Sequence, residues 1–112
     1  MNTEWINVGA VVNFAKDLGC CVKVNGRQIA VFNLSENNQW YAVQNLCPHD
    51  KRMVLSRGII GDKEGEPKVT CPLHKNSFSL KNGKHVSEGD VDDITTYPIK
   101  VKDGDVFLQV VV

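Results

Sequence analysis

The 112-residue sequence predicts an all-β fold, an antiparallel sandwich or small barrel, because short strand-like runs alternate with tight-turn dipeptides. Asn25-Gly26, Asn82-Gly83 and Asp103-Gly104 each lie between such runs. Asn-Gly and Asp-Gly dipeptides in this setting are the strongest short-range signal for a β-hairpin. The length favours a single domain over residues 1–112, since a second independent core would need a longer chain.

The elements follow in chain order. Hairpins are predicted in CVKVNGRQIAVFNL (21–34), SFSLKNGKHV (77–86) and TTYPIKVKDGDVFLQVV (95–111), and single strands in WYAVQNL (40–46) and PKVT (67–70). Each of these single strands ends at the residue before a cysteine, which is Cys47 for the first and Cys71 for the second. NFAKDLG (13–19) can form one or two turns of helix ending at Gly19, and DKRMVLSRGIIGDKEGEP (50–67) is predicted to be an irregular excursion.

Charge and hydropathy favour neither a nucleic-acid partner nor a membrane partner. Thirteen basic and thirteen acidic residues cancel, so nothing in the composition favours binding to nucleic acid or to an anionic membrane. The N-terminus lacks the pattern of a secretory signal, and no apolar run reaches the roughly 18 residues of a membrane span. We therefore expect a cytoplasmic protein with no membrane partner.

The four cysteines fall into two groups. Cys20 and Cys21 are adjacent in a predicted strand, and alternation turns one of them inward as a small apolar residue. Cys47 and Cys71 are each followed by a histidine, in CPH (47–49) and CPLH (71–74). In a reducing compartment such cysteines are more often metal ligands than disulfide partners. This second pair is therefore the candidate functional pair.

Three chemistries are open for the two cysteine–histidine pairs. A disulfide leaves the histidine spacing unexplained. A Cys2His2 zinc site is possible, although zinc sites usually pair cysteine with cysteine and histidine with histidine along the chain. Mixed pairs suit a [2Fe-2S] cluster of the Rieske type, with Cys47 and Cys71 on one iron and His49 and His74 on the other. A proline inside each motif stiffens its loop.

The two motifs carry a family resemblance. CPH (47–49) followed by CPLHKNSF (71–78), with its aromatic Phe78, resembles the Rieske iron–sulfur family. The resemblance implies small antiparallel sheets that form a sandwich or partial barrel. It also implies a [2Fe-2S] cluster at a tip made by two loops, about residues 46–58 and 70–78.

Three departures from the wider family narrow the resemblance. Arg52 and Leu73 stand where the subgroup from respiratory and photosynthetic complexes has a disulfide between the loops. Asn76 and Phe78 stand where that subgroup has a serine and a tyrosine that donate to the cluster. Losing these donors destabilises the reduced cluster, so we predict a potential toward the low end of the Rieske range. Lys75 stands where glycine is common.

Further segments resemble the small-subunit family of the assimilatory-type NAD(P)H-dependent nitrite reductases. They are VLSRG (54–58), GEPKV (65–69), CPLHK (71–75), Trp5 and YPIKVKDGDVFL (97–108). The resemblance implies an oxidoreductase subunit for electron transfer, with no catalytic residue of its own. Its partner would be a large subunit that carries FAD, an iron–sulfur cluster and sirohaem, uses NADH or NADPH, and reduces nitrite to ammonium.

Residues around the ligands are candidates for docking or tuning. Pro48, Met53, Pro72 and Leu73 form a small apolar set suited to docking, although Met53 and Leu73 would equally suit packing beneath the cluster. Lys75 is a candidate for tuning the potential, for docking, or for neither. His85 is expected to be a surface or hydrogen-bonded strand residue.

Two other functions remain open on the sequence. One is a stand-alone Rieske ferredoxin that serves a ring-hydroxylating oxygenase. The other is a non-redox structural or regulatory subunit that binds zinc or no metal, since some relatives in the small-subunit family lack the ligands.

Overall fold

The computed structural model describes residues 2–111, apart from the side chain of residue 37, and nearly all of its regular secondary structure is β-strand. The strands are β1 (Thr3–Ala10), β2 (Gly19–Val24), β3 (Arg27–Leu34), β4 (Gln39–Gln44), β5 (Leu46–Cys47), β6 (Arg52–Met53), β7 (Ile59–Lys63), β8 (Glu66–Thr70), β9 (Ser77–Ser79), β10 (Thr96–Tyr97), β11 (Ile99–Lys102) and β12 (Asp105–Val111). Short 3₁₀ turns occupy Val11–Asn13, Glu36–Asn38 and Leu55–Arg57. Residues 2–111 contain no α-helix.

The strands form four antiparallel sheets. Their orders are β1-β12-β11, β10-β4-β3-β2, β5-β6 and β7-β8-β9. The predicted all-β class with small antiparallel sheets is therefore confirmed.

Strand β3 is the centre of the sandwich because both of its faces are buried. Ile29 and Val31 pack with Val106 and Leu108 of β12, in a cluster that we call the distal core. Alternate residues of β3 face the other way, into a cluster that we call the site-side core. The site-side core contains Ala30, Phe32, Leu34, Val43, Cys47, Leu55, Val69, Cys71, Phe78, Leu80 and Ile94. Both candidate cysteine ligands therefore belong to the core beneath the site.

The predicted hairpins at Asn25-Gly26 and Asp103-Gly104 are confirmed as two-residue turns. All four residues have positive φ, between 51° and 81°, as the type I′ geometry requires. The reversal at Asn82-Gly83 is also present, but it is wider. Gly83 donates its N–H to Ser79 O over 2.9 Å, and the chain returns only to an isolated bridge between Phe78 and His85.

Two predictions are wrong. The segment 13–19 is not a helix, because it pairs with β3 instead. Lys16 forms a β-bridge with Asn33 of β3. Asp17, which has φ of 61°, donates its N–H to Asn33 O over 2.7 Å. The stretch 50–67 is not irregular, because β7 and β8 form a fourth hairpin there. Its turn is Glu64-Gly65, with φ of 54° and 84°.

The adjacent cysteines behave as alternation predicts. Cys20 is half-buried and packs against the distal core, while Cys21 is exposed beside Gln28.

Candidate metal centre

The first loop, residues 48–51, connects the two-residue strands β5 and β6. Cys47 ends β5 and is paired with Arg52 in β6. Lys51 has φ of 56° and donates its N–H to Cys47 O over 2.8 Å. This bond closes the loop.

The second loop, residues 72–76, connects β8 to β9 and repeats this arrangement. Cys71 directly follows β8, and its N–H donates to Asn76 O over 2.8 Å. Lys75 has φ of 59° and donates its N–H to Cys71 O over 3.1 Å. The left-handed backbone explains why glycine suits this position, since an L-residue is strained there. Lys51 occupies the equivalent place in the first loop.

The four candidate ligands form an inner and an outer pair. The Cys47 and Cys71 side chains are fully buried in the site-side core. The His49 and His74 side chains are 45% and 66% exposed, with ring centroids 5.3 Å apart. The loops thus place the thiols inside and the imidazoles at the surface, although the two motifs are 24 residues apart from Cys47 to Cys71 (71 − 47).

Asp50 lies between the two pairs and touches all four candidate ligands. Its Oδ2 is 3.6 Å from Cys47 Sγ and 3.2 Å from Cys71 Sγ. Its Oδ1 is 3.3 Å from His49 Nδ1 and also contacts His74 Nδ1. Its side chain is only 5% exposed. Sequence reasoning missed this residue, and the only signal was a carboxylate directly after the first histidine.

The four contacts change the acidity of two groups. Burial by itself raises the pKa of the Asp50 carboxyl, but hydrogen bonds from His74, Cys71, His49 and Cys47 outweigh it and lower that pKa to about 2. Burial raises the pKa of the Cys71 thiol to about 11, with the neighbouring Cys47 and Asp50 adding to the effect. Without a metal the carboxyl is therefore charged and this thiol is protonated at neutral pH.

The structure exposes most of the predicted docking set. Met53 and Leu73 are 45% and 44% exposed, and Pro72 and Lys75 are also exposed, while Pro48 is half-buried. Met53 and Leu73 therefore do not pack beneath the site in this structure.

A polar network supports the second loop from behind. His85 Nε2 lies 2.8 Å from Ser87 Oγ and 3.3 Å from Asn76 Oδ1. Ser77 donates its N–H to Ser87 Oγ over 3.0 Å. The His85 ring centroid is 5.5 Å from that of the buried Phe78. The prediction that His85 is a hydrogen-bonded residue is confirmed.

Neither loop carries a disulfide in the part of the chain that the structure describes. Cys20, Cys21, Cys47 and Cys71 are all free, and Arg52 and Leu73, at the positions where the family resemblance places a cross-link in one subgroup, are exposed. The loops are therefore held by hydrogen bonds and packing.

Comparison with known proteins gives the family. The family model described as a Rieske-like [2Fe-2S] domain matches residues 4–109. The chain belongs to the Rieske-like [2Fe-2S] family. The cofactor expected from the sequence, a [2Fe-2S] cluster, is the one for which this family is named.

Among its relatives are proteins of two functional groups. The small subunit of nitrite reductase (NADH) from Salmonella typhimurium is 33% identical over 107 residues, which are 96% of this chain and 98% of that protein. A ferredoxin component of naphthalene 1,2-dioxygenase and salicylate 5-hydroxylase systems from Ralstonia is 31% identical over 97% of this chain and 98% of its own length.

A solved structure supports the fold over the whole chain. A crystal structure from Mycobacterium tuberculosis, provisionally assigned as a NADH-dependent nitrite reductase small subunit, is 29% identical with a TM-score of 0.91. The alignment covers 100% of this chain and 99% of that one. The likeness to nitrite reductase small subunits expected from the sequence is therefore confirmed. In residues 2–111 no helix is long and apolar enough to cross a membrane.

The donor set of this Rieske-like chain fits a [2Fe-2S] cluster. Two buried sulfurs face one side of the Asp50 carboxylate, and the Nδ1 atoms of two exposed imidazoles face the other. Two thiolates on one iron and two imidazoles on the other are what a Rieske cluster requires. The Asp50 side chain occupies the space between the pairs, so a cluster held by these four residues would require it to move.

Proposed function

We propose that this chain is the [2Fe-2S] small subunit of an NAD(P)H-dependent nitrite reductase. It supports electron transfer for the reduction of nitrite to ammonium on a large subunit. The FAD, sirohaem and NAD(P)H sites belong to that large subunit, and the chain itself works as one Rieske-type domain over residues 1–112. We place the complex in the cytoplasm, in nitrate assimilation.

The observation that carries the proposal is the inner and outer arrangement of the four ligands. We propose that Cys47 and Cys71 hold one iron and that His49 and His74 hold the other. When bound, the cluster supplies one-electron redox chemistry. The site-side core keeps water from the two sulfurs, while the exposed imidazoles present the edge at which a partner can exchange electrons.

The surface around the histidines suits a docking partner. Met53 of β6 and Leu73 of the second loop are exposed apolar side chains, and Lys75 adds a charge beside His74. A small apolar patch with a polar rim is typical of transient electron-transfer contacts. We propose that the large subunit docks here, which is in keeping with the name of the Salmonella relative as a small subunit.

The first test is the metal content. Anaerobically purified chain should contain about two iron and two acid-labile sulfide per chain, with a Rieske-type paramagnetic resonance signal after reduction by dithionite. Cys47→Ala and His74→Ala should lose the signal. Cys20→Ala, which removes a free thiol packed against the distal core, should keep it. Stoichiometric zinc with no signal would contradict the proposal.

A ferredoxin that serves an oxygenase is the second candidate, and the Ralstonia relative favours it. Affinity purification from the native cell distinguishes the two. Recovery of a sirohaem protein supports the nitrite reductase assignment, whereas recovery of an oxygenase alone would overturn it. A non-redox subunit is the third candidate, and it predicts that Cys47→Ala leaves the activity of the complex unchanged.

A further inference from the structure

Asp50 completes two groups of possible metal ligands. The ligand atoms of Cys47, Asp50 and Cys71 all lie within 4.8 Å of one another, and so do those of His49, Asp50 and His74. We call the first group the thiol triad and the second the imidazole triad. The two triads share one carboxylate, which gives one oxygen to each.

The thiol triad already has the spacing of ligands on a single ion. Metal–sulfur bonds of ~2.3 Å and metal–oxygen bonds of ~2.0 Å at the tetrahedral angle place sulfur and oxygen about 3.5 Å apart. The two distances from Asp50 Oδ2 are 3.6 Å to Cys47 Sγ and 3.2 Å to Cys71 Sγ. A metal ion could therefore enter with little movement of these three side chains.

The surroundings of the thiol triad favour a soft divalent cation. Both thiols are fully buried, and the Asp50 side chain is 5% exposed, so the three ligands are largely shielded from water. Sulfur ligands select ions such as Zn²⁺, Fe²⁺ and Co²⁺ over Mg²⁺ and Ca²⁺. The histidines contact the other carboxylate oxygen and so steady the orientation of Asp50.

We propose that, in the absence of sulfide, this chain binds one divalent transition-metal ion through Cys47, Cys71 and Asp50. The ion enters, the two thiols release one proton each, and a solvent molecule or an imidazole completes the coordination. Asp50 is then a ligand of the sulfide-free state only, since its carboxylate must leave the space that a cluster fills. The inference rests on the proposed function only in using the same two cysteines.

The test uses Co²⁺ as the probe on the full chain without metal, under anaerobic conditions. The wild-type chain should bind one Co²⁺ with the intense visible absorption of thiolate-bound tetrahedral cobalt. Asp50→Asn should weaken Co²⁺ binding by at least the roughly 10–100-fold that is typical when a residue supporting a metal ligand is lost, since Asp50 is itself a ligand in this proposal. Asp50→Glu should recover part of it. Asp92→Asn, an exposed carboxylate outside both loops, should bind as the wild type does.

Reconstitution with iron and sulfide separates this inference from the proposed function. Asp50→Asn should still assemble a cluster with wild-type iron and sulfide content, because Asp50 is not a ligand of that state. Wild-type affinity for Co²⁺ in Asp50→Asn would overturn the inference, as would no binding by the wild type or loss of both Co²⁺ and cluster in the variant. A wild-type chain that binds Co²⁺ but assembles no cluster would instead refute the proposed function.

Discussion

The two loops of the metal centre are built alike at their ends and differently in their middles. In each, a buried cysteine accepts a hydrogen bond from a lysine with positive φ four residues later. The first loop adds Asp50, which reaches all four candidate ligands. The second loop instead has a polar network behind it, from Asn76 to His85 and Ser87. One loop thus supplies a charged group, and the other supplies a rigid support.

The largest effect expected is on the packing beneath the loops. Phe78→Ala, under the second loop, should lower the free energy of unfolding by about 3–5 kcal/mol, and Leu55→Ala, near the first, by about 2–5 kcal/mol. Both residues are fully buried. Urea unfolding of the chain without metal measures these losses.

Ile59→Ala is the matched control for this pair. Ile59 is 68% exposed, so its loss should stay within about 1 kcal/mol. A Phe78→Ala variant as stable as the control would show that the second loop is not supported through this ring.

The next effect concerns the reduction potential. The Asn76→Ser, Phe78→Tyr double variant introduces hydroxyls at the two buried positions where the family resemblance places donors. Added donors favour the reduced cluster, so the potential should rise by tens of millivolts, a small part of the roughly 450 mV Rieske range. Protein-film voltammetry measures it. Phe107→Tyr, on the outer sheet, should leave the potential unchanged.

The smallest effect tests the feature that the loops share. Lys51→Gly and Lys75→Gly remove the strain of an L-residue in the left-handed region, which stabilises the folded chain by ~1–2 kcal/mol. They also give the unfolded chain more conformational freedom, which destabilises the folded chain by ~0.4–1 kcal/mol. Both should therefore lie between neutral and about 1.6 kcal/mol stabilising. Lys23→Gly, in the regular strand β2, should destabilise by about 0.5–1 kcal/mol. The urea midpoint should therefore fall for Lys23→Gly but not for the two loop variants. Equal losses of stability in all three variants would contradict this prediction.

The sequence predicts the parts of this molecule that depend on local pattern. Asn25-Gly26 and Asp103-Gly104 set their own turn geometry, and the strands ending near Cys47 and Cys71 follow from alternation. Glu64-Gly65 makes the same turn, but glutamate is a weak signal for positive φ, so that hairpin was missed. The helix expected in segment 13–19 does not form, because the N–H of Asp17 donates to the carbonyl of Asn33, which is distant in sequence.

The position of Asp50 among the candidate ligands could not be predicted from local sequence pattern, for a different reason. A carboxylate after a histidine is ordinary in a loop, and its position matters only because the second loop brings Cys71 and His74 against it. Lys51 is similar, since its role appears only when its φ of 56° is compared with that of Lys75. Local sequence patterns predict the candidate ligands here, whereas the contacts between the loops show what lies among them.

The free cysteines and the exposed Arg52 and Leu73 have a kinetic consequence for this centre. With no covalent cross-link among the described residues of the two loops, release of a cofactor would need loss of its bonds to the four candidate ligands and local separation of the loops, without unfolding of the sandwich. The ease of that opening would then contribute to the residence time of the cofactor. Amide hydrogen exchange at Lys51 and Lys75, whose N–H groups close the two loops, would measure the free energy of that opening.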